Sequence, residues 1–196
     1  MRLGTGDVCL IIGDNGVGKT KLIKTILGQI PLISGEIFLD KINLNQLNSK
    51  EVAQKISVVF SKSDVPNHFT VKDLIAFGKY IHYPYYFKLK ETDLKEVNEI
   101  IESLGLKQYE NFLLYQLSDG NLQKAFIGRA LAQDTRMVIL DEPTTHLDEK
   151  NKLMMLNLMR NIAKNNQKII LFSSHDWRLA KEFSDKICLL KDGQLF

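Results

Sequence analysis

Residues 8–20 read Val8-Cys9-Leu10-Ile11-Ile12-Gly13-Asp14-Asn15-Gly16-Val17-Gly18-Lys19-Thr20. Five apolar residues run into the pattern G-x-x-x-x-G-K-T, and a helical pattern follows. That order of strand, glycine-rich loop and helix is the context of a phosphate-binding P-loop. Glycines let successive backbone N–H groups turn inward and form a nest for an anion. The helix that begins near Lys19 adds the positive end of its dipole. The pattern predicts that residues 13–20 cradle a nucleotide's phosphates. Lys19 is expected to reach the β- and γ-phosphates, and the Thr20 hydroxyl to ligate Mg²⁺.

Working outward, a second strand ends in charge. Arg136-Met137-Val138-Ile139-Leu140-Asp141-Glu142 is an apolar run closed by two carboxylates. A continuous apolar run suits a strand buried on both faces. Carboxylates at its C-terminal end sit where open α/β sheets bind ligands. Asp141 is therefore placed to hold Mg²⁺, and Glu142 to polarise an attacking water.

Leu117-Ser118-Asp119-Gly120-Asn121-Leu122-Gln123-Lys124 precedes that strand, and the helix pattern Ala125-Phe126-Ile127-Gly128-Arg129-Ala130-Leu131-Ala132 follows it. With this segment the chain resembles the nucleotide-binding subunit of an ATP-binding cassette (ABC) transporter, whose signature is L-S-G-G-Q. Thr145-His146-Leu147-Asp148 is similar to that family's D-loop, and Ser173-Ser174-His175-Asp176 to its switch-histidine segment. The motifs keep the family's order along nearly the whole chain. Phe69 to Lys79 and Ala130-Leu131-Ala132-Gln133-Asp134-Thr135 further resemble the branch that energises uptake of iron–siderophore, haem or cobalamin complexes.

The resemblance implies an ATP-hydrolysing importer subunit on the cytoplasmic face of the inner membrane, with integral-membrane permease subunits as partners. It implies a head-to-tail homodimer, with ATP between the P-loop of one copy and Ser118 and Gly120 of the other, and Asp148 close by. His175 is then expected to hold the γ-phosphate, beside Glu142 as the base and Lys19. No nucleic-acid partner is expected. Two readings of other classes stand beside it: a non-transport ABC ATPase acting on nucleic acid or ribosomes, and an inactive nucleotide-binding fragment.

The chain also departs from the family pattern. Ser61 stands where the family has a glutamine whose amide reaches Mg²⁺; a serine at that metal position is shorter. Asp119 and Asn121 replace a signature glycine and glutamine, and a carboxylate near a phosphate is repelled unless it points away. Family members usually begin further upstream, with an aromatic that stacks on adenine. A chain that opens at Met1-Arg2-Leu3 is expected to lack that platform.

The remaining sequence agrees with a P-loop NTPase of the RecA-like α/β type. Strands are expected near 36–40, 56–60, 136–140, 168–173 and 186–191, with a short helix near 49–54. Alternating strands and helices argue for a mostly parallel sheet. The helical stretch 62–132 reads as a subdomain inserted between core segments 1–61 and 133–196. Within it Asp93 and Glu96 are expected to form a capping box, with Leu94, Val97, Ile101 and Leu104 on one face.

A chain of 196 residues that is 44% hydrophobic can bury a substantial core. Its net charge of +3 does not demand a polyanionic partner. No apolar run approaches the ~18 residues of a membrane span, and Val8–Ile12 runs into the P-loop rather than forming a signal peptide. Cys9 and Cys188 are expected as free core thiols. Met154, Met155 and Met159 are expected to fill core, Trp177 to pack behind an Asp176 cap, and His68, His82 and His146 to lie in loops. The aromatics Tyr80, Tyr83, Tyr85, Tyr86 and Phe87 are expected to face a permease.

Overall fold

The computed structural model describes residues 1–61, 68–84 and 88–196. In chain order these form β1 (Val8–Ile12), α1 (Lys19–Ile26), β2 (Phe38–Leu39), β3 (Ile42–Asn43), α2 (Ser49–Ala53), β4 (Ile56–Val59), α3 (Val71–Phe77), α4 (Glu91–Ser103) and α5 (Asp119–Ala132). Then come β5 (Met137–Leu140), α6 (Glu149–Asn165), β6 (Ile169–Ser173), α7 (Trp177–Ala180), β7 (Lys186–Lys191) and β8 (Gln194–Leu195).

The main sheet has the order β4-β5-β6-β1-β7-β8. Its first five strands run parallel, and β8 turns back antiparallel on β7. Side chains alternate between two faces. Leu10, Phe172, Leu140 and Val59 form one row, because the register pairs Leu10 with Phe172, Phe172 with Leu140 and Leu140 with Val59. That row joins the core shared by α3, α4, α5 and α6. Cys9, Ile11, Ile139 and Leu171 point the other way, onto Ile23 and Leu27 of the α1 segment and Val52 of α2. Phe172 and Leu10 are fully buried, and each such side chain contributes about 1.5–3 kcal/mol of hydrophobic stabilisation.

Several sequence expectations change. The segment read as a strand at 36–40 is a two-residue strand in a β2–β3 hairpin outside the main sheet. Asp40 and Lys41 turn it with φ of 50° and 66°, the pair of positive angles that a two-residue type I′ connection requires. Asp93 is not a helix cap with Glu96. α4 begins at Glu91, and the Asp93 carboxylate accepts from the Lys90 N–H at 2.9 Å and from the Tyr83 hydroxyl. Glu96 pairs instead with Lys79. Leu94 and Leu153 sit at the exposed edges of their helices, and Met154 is 47% exposed while Met155 and Met159 are buried. Trp177 is 45% exposed, with Lys181 Nζ 5.3 Å from its ring centroid. Asp176 makes no side-chain cap; its carboxylate accepts from Lys152 at 3.0 Å. Tyr85, Tyr86 and Phe87 lie outside the described residues.

Cys9 and Cys188 are free and buried as expected. Their strands are neighbours, however, and the two sulfurs lie 3.8 Å apart. The Cys9 thiol is held above the ordinary thiol range by its hydrogen bond to Cys188 and by burial.

Candidate nucleotide site

The site forms where β1, β5 and β6 end against the start of α1. β1 delivers the chain into the loop at Gly13. A Cβ on Gly13 would lie 2.6 Å from the Leu190 carbonyl oxygen and 2.8 Å from Val17 Cγ1, so the close approach of β7 requires glycine here. Val17 N–H donates to Asp14 C=O at 3.2 Å. Gly16 and Gly18 have φ of 81° and 110°, a region costly to any residue with a side chain. Asn15 lies exposed at the tip.

Lys19 opens α1 and is 6% exposed. Its ammonium donates to the Gly13 carbonyl at 2.8 Å and the Asp14 carbonyl at 3.2 Å. It folds back over the loop, with Glu142 Oε1 3.9 Å away. Thr20 Oγ1 donates to Asp141 Oδ2 at 2.7 Å, joining the loop to the end of β5.

Asp141 and Ser173 lie one step beyond the paired residues Leu140 and Phe172, on the face that α1 covers. Ser173 is fully buried. Its hydroxyl donates to Asp141 Oδ1 at 2.7 Å and accepts from the Glu142 N–H at 2.9 Å. Glu142 has φ of 53°, a left-handed conformation that costs about 1 kcal/mol or more in a non-glycine residue. The Ser173 bond holds that backbone in place.

The Glu142 side chain stands among three groups. Besides Lys19, Thr145 Oγ1 donates to its Oε2 at 3.3 Å, and His175 Nδ1 is 3.7 Å from the same oxygen. An open cleft of about 450 Å³ adjoins it, lined by Ser61, Asp119, Gln123, Glu142, Thr145 and His146. Ser118 caps α5, and its hydroxyl accepts from the Asn121 N–H at 3.5 Å. Gly120 faces Asn151, whose Oδ1 would lie 3.6 Å from an added Cβ. Asp148 caps α6 with both carboxylate oxygens, accepting from the Asn151 N–H at 2.8 Å and its Nδ2 at 3.0 Å.

One end of the sheet thus gathers a glycine-rich loop, a lysine, a buried carboxylate held by two hydroxyls, and a second carboxylate beside a histidine. The ABC transporter profile matches residues 1–145. The chain belongs to the ABC transporter family. Members of that family hydrolyse ATP. The chain is 34% identical over 191 residues to a petrobactin import ATP-binding protein of Bacillus subtilis, covering 97% of this chain and 75% of that protein. It is 30% identical to an iron(3+)-hydroxamate import ATP-binding protein of the same organism, covering 96% and 70%. It is also 30% identical to the ferric enterobactin transport ATP-binding protein of Escherichia coli, covering 100% and 72%. The fold superposes on an inward-facing structure described as a metal-chelate type ABC transporter, with TM-score 0.88, 26% identity, and coverage of 100% and 73%. A dimeric cassette in a post-hydrolysis state with ADP and phosphate gives TM-score 0.84, 25% identity, and coverage of 100% and 85%.

Three residues lie in segments that the sequence marks, but their places around Glu142 and Asp141 do not follow from it. Ser173 reads as the last residue of a buried strand. Thr145 reads as the first residue of the D-loop segment, and its hydroxyl meets Glu142; His146, expected as a loop histidine, lines the cleft beside Glu142.

Proposed function

We propose that the chain is the ATP-hydrolysing subunit of an importer for iron–siderophore complexes or a related metal chelate. The observation that carries the hydrolytic reading is the Glu142 carboxylate, 3.9 Å from Lys19 and 3.7 Å from His175. The cargo class is supported by the uptake-branch segments 69–79 and 130–135 and by the relatives named above. The nucleotide-binding lobe is 1–61 with 133–196, and 62–132 is the helical subdomain.

In this mechanism residues 13–18 and the first turn of α1 bind the phosphates through backbone N–H groups, which are orphan donors at a helix start. Lys19 leaves two backbone carbonyls for the phosphate oxygens. Glu142 orients the attacking water and accepts its proton, and His175 steadies the γ-phosphate. No covalent intermediate is needed, because positioning and charge stabilisation supply the catalysis. Asp141 fits a role in holding Mg²⁺. It is 2% exposed, and its carboxylate accepts from the hydroxyls of Thr20 and Ser173, an oxygen-rich setting suited to a hard cation. Thr20 would share that ion, and Ser61 would approach it only through water. The ion supplies charge neutralisation at the phosphates.

Two copies pair head to tail, each offering Ser118 and Gly120 to the other's nucleotide; such a two-fold contact is self-complementary. Among the described residues no helix is long and apolar enough to cross a membrane, and the proposed place of work is the cytoplasmic membrane face beside a permease. The docking surface proposed is a groove of about 720 Å³ between α2 and the α3–α5 pair, lined by Val52, Phe77, Tyr80, Ile81 and Arg129. Aromatic and arginine side chains are favoured interface anchors. The test is phosphate release from ATP by the purified chain, with and without its co-expressed permease. Turnover that rises with the permease is expected. ATP binding without turnover in either state would leave a nucleotide-binding module only.

A further inference from the structure

We propose that Met1, Cys9 and Cys188 form a binding site for a soft monovalent metal ion, Cu(I), under the phosphate loop. Cys9 Sγ lies 3.8 Å from Cys188 Sγ and 3.8 Å from Met1 Sδ. A metal with sulfur bonds of about 2.3 Å holds its ligands about 3.8–4.0 Å apart, in trigonal or tetrahedral geometry. Cys9 Sγ already stands at that spacing from each of the other two sulfurs. Thiolate and thioether ligands select Cu(I) over harder ions. The adjoining opening, about 350 Å³, is lined by Met1, Arg2, Lys186, Cys188, Leu195 and Phe196. It gives solvent access to Cys188, and none of its lining side chains carries a carboxylate or imidazole; the sulfurs are a poor set for Mg²⁺ or Ca²⁺, which take oxygen ligands. Arg2 offsets the net negative charge left when Cu(I) displaces both thiol protons to the solvent, while Lys186 beside it is paired with Asp7 at 2.7 Å.

The place matters as much as the ligands. Cys9 lies in β1, four residues before Gly13. Cys188 lies in β7, two residues before Leu190, whose carbonyl abuts Gly13. A bound ion therefore staples the two strands that support the phosphate loop. Metal loading is expected to raise the melting temperature of the chain and to slow exchange of the β1 and β7 amides.

The test is anaerobic titration of the full chain into the Cu(I)–bicinchoninate complex, followed by its colour. The wild type is expected to withdraw one equivalent. Cys188→Ser is expected to withdraw none while still melting cooperatively and binding nucleotide. A wild type that withdraws no copper, or a Cys188→Ser chain that withdraws as much as the wild type, overturns the site. Should that variant not fold, iodoacetamide labelling of the copper-loaded wild type decides. Because both thiols are buried, the copper-free chain is labelled beside it in urea just below the unfolding midpoint: protection of both cysteines only when copper is bound, read by mass, supports the site; equal alkylation with and without copper refutes it. Uptake of Zn(II) without uptake of Cu(I) would overturn the soft-ion assignment.

Discussion

Ser173 shows how much one buried hydroxyl can organise. Its hydroxyl donates to Asp141 and accepts from the Glu142 backbone N–H, so the two neighbouring acidic residues share one anchor. Ser173→Ala leaves a buried N–H unpaired, which costs about 1–3 kcal/mol. If that cost falls on the reactive geometry, kcat drops about tenfold to a hundredfold. The expected split is a lower kcat with ATP KM unchanged, measured by steady-state phosphate release; an unchanged kcat would show that Glu142 keeps its backbone without this bond. Gly13 to Thr20 and Asp141–Glu142 were legible in the sequence because each motif is contiguous. Ser173 was not, because its role arises from the register of β6 against β5. The Cys9–Cys188 contact was hidden for the same reason, since it spans the chain and exists only because β7 pairs with β1.

Among the elements, α3 and α5 pack so closely that Gly78, the C-cap of α3, has no room for a methyl group. A Cβ there would lie 2.2 Å from the Arg129 carbonyl oxygen, and 3.0 Å from Ala132 Cβ. The obstacle is backbone, so the helices must part. Gly78→Ala is expected to destabilise the chain by about 1–3 kcal/mol, read as a lower midpoint in urea. Asp185 ties a loop to β1, with Val8 N–H and Lys164 Nζ each 2.9 Å from its Oδ2. Partial burial works to raise its pKa, but these bonds outweigh it and hold the carboxyl below its ordinary value of 3.8. A depressed carboxyl stabilises the fold above its unfolded pKa and loses that contribution as pH falls through the folded one. Asp185→Asn should therefore cost about 1 kcal/mol at neutral pH. The gap in thermal midpoint should close well below pH 3.8. Helices and strands followed apolar spacing in the sequence. Their exposed edges, at Leu94, Met154 and Trp177, did not, because periodicity marks a face but not how wide its neighbour is.

At the scale of the whole molecule, the cleft beside Glu142 and the groove lie toward opposite ends of α5, with Asp119, Leu122 and Phe126 lining the first and Arg129 and Gln133 the second. Arg129 braces the groove wall, since its guanidinium donates to the carbonyl of Val58, another lining residue, at 2.8 Å. Phe77 is 53% exposed beside Tyr80, their ring centroids 6.0 Å apart. Replacing both with alanine is expected to weaken capture of the chain by its permease at least about tenfold, as loss of an aromatic anchor does. ATP hydrolysis by the isolated chain should remain. Equal capture of wild type and variant in a pull-down would move the docking surface elsewhere. The claim on which the rest depends is that Glu142 takes the proton of the attacking water. The most direct measurement is phosphate release by Glu142→Gln, run beside ATP retention on the same protein. An amide cannot accept that proton, so turnover should all but vanish while ATP stays bound. Turnover at the wild-type rate would remove Glu142 from the reaction.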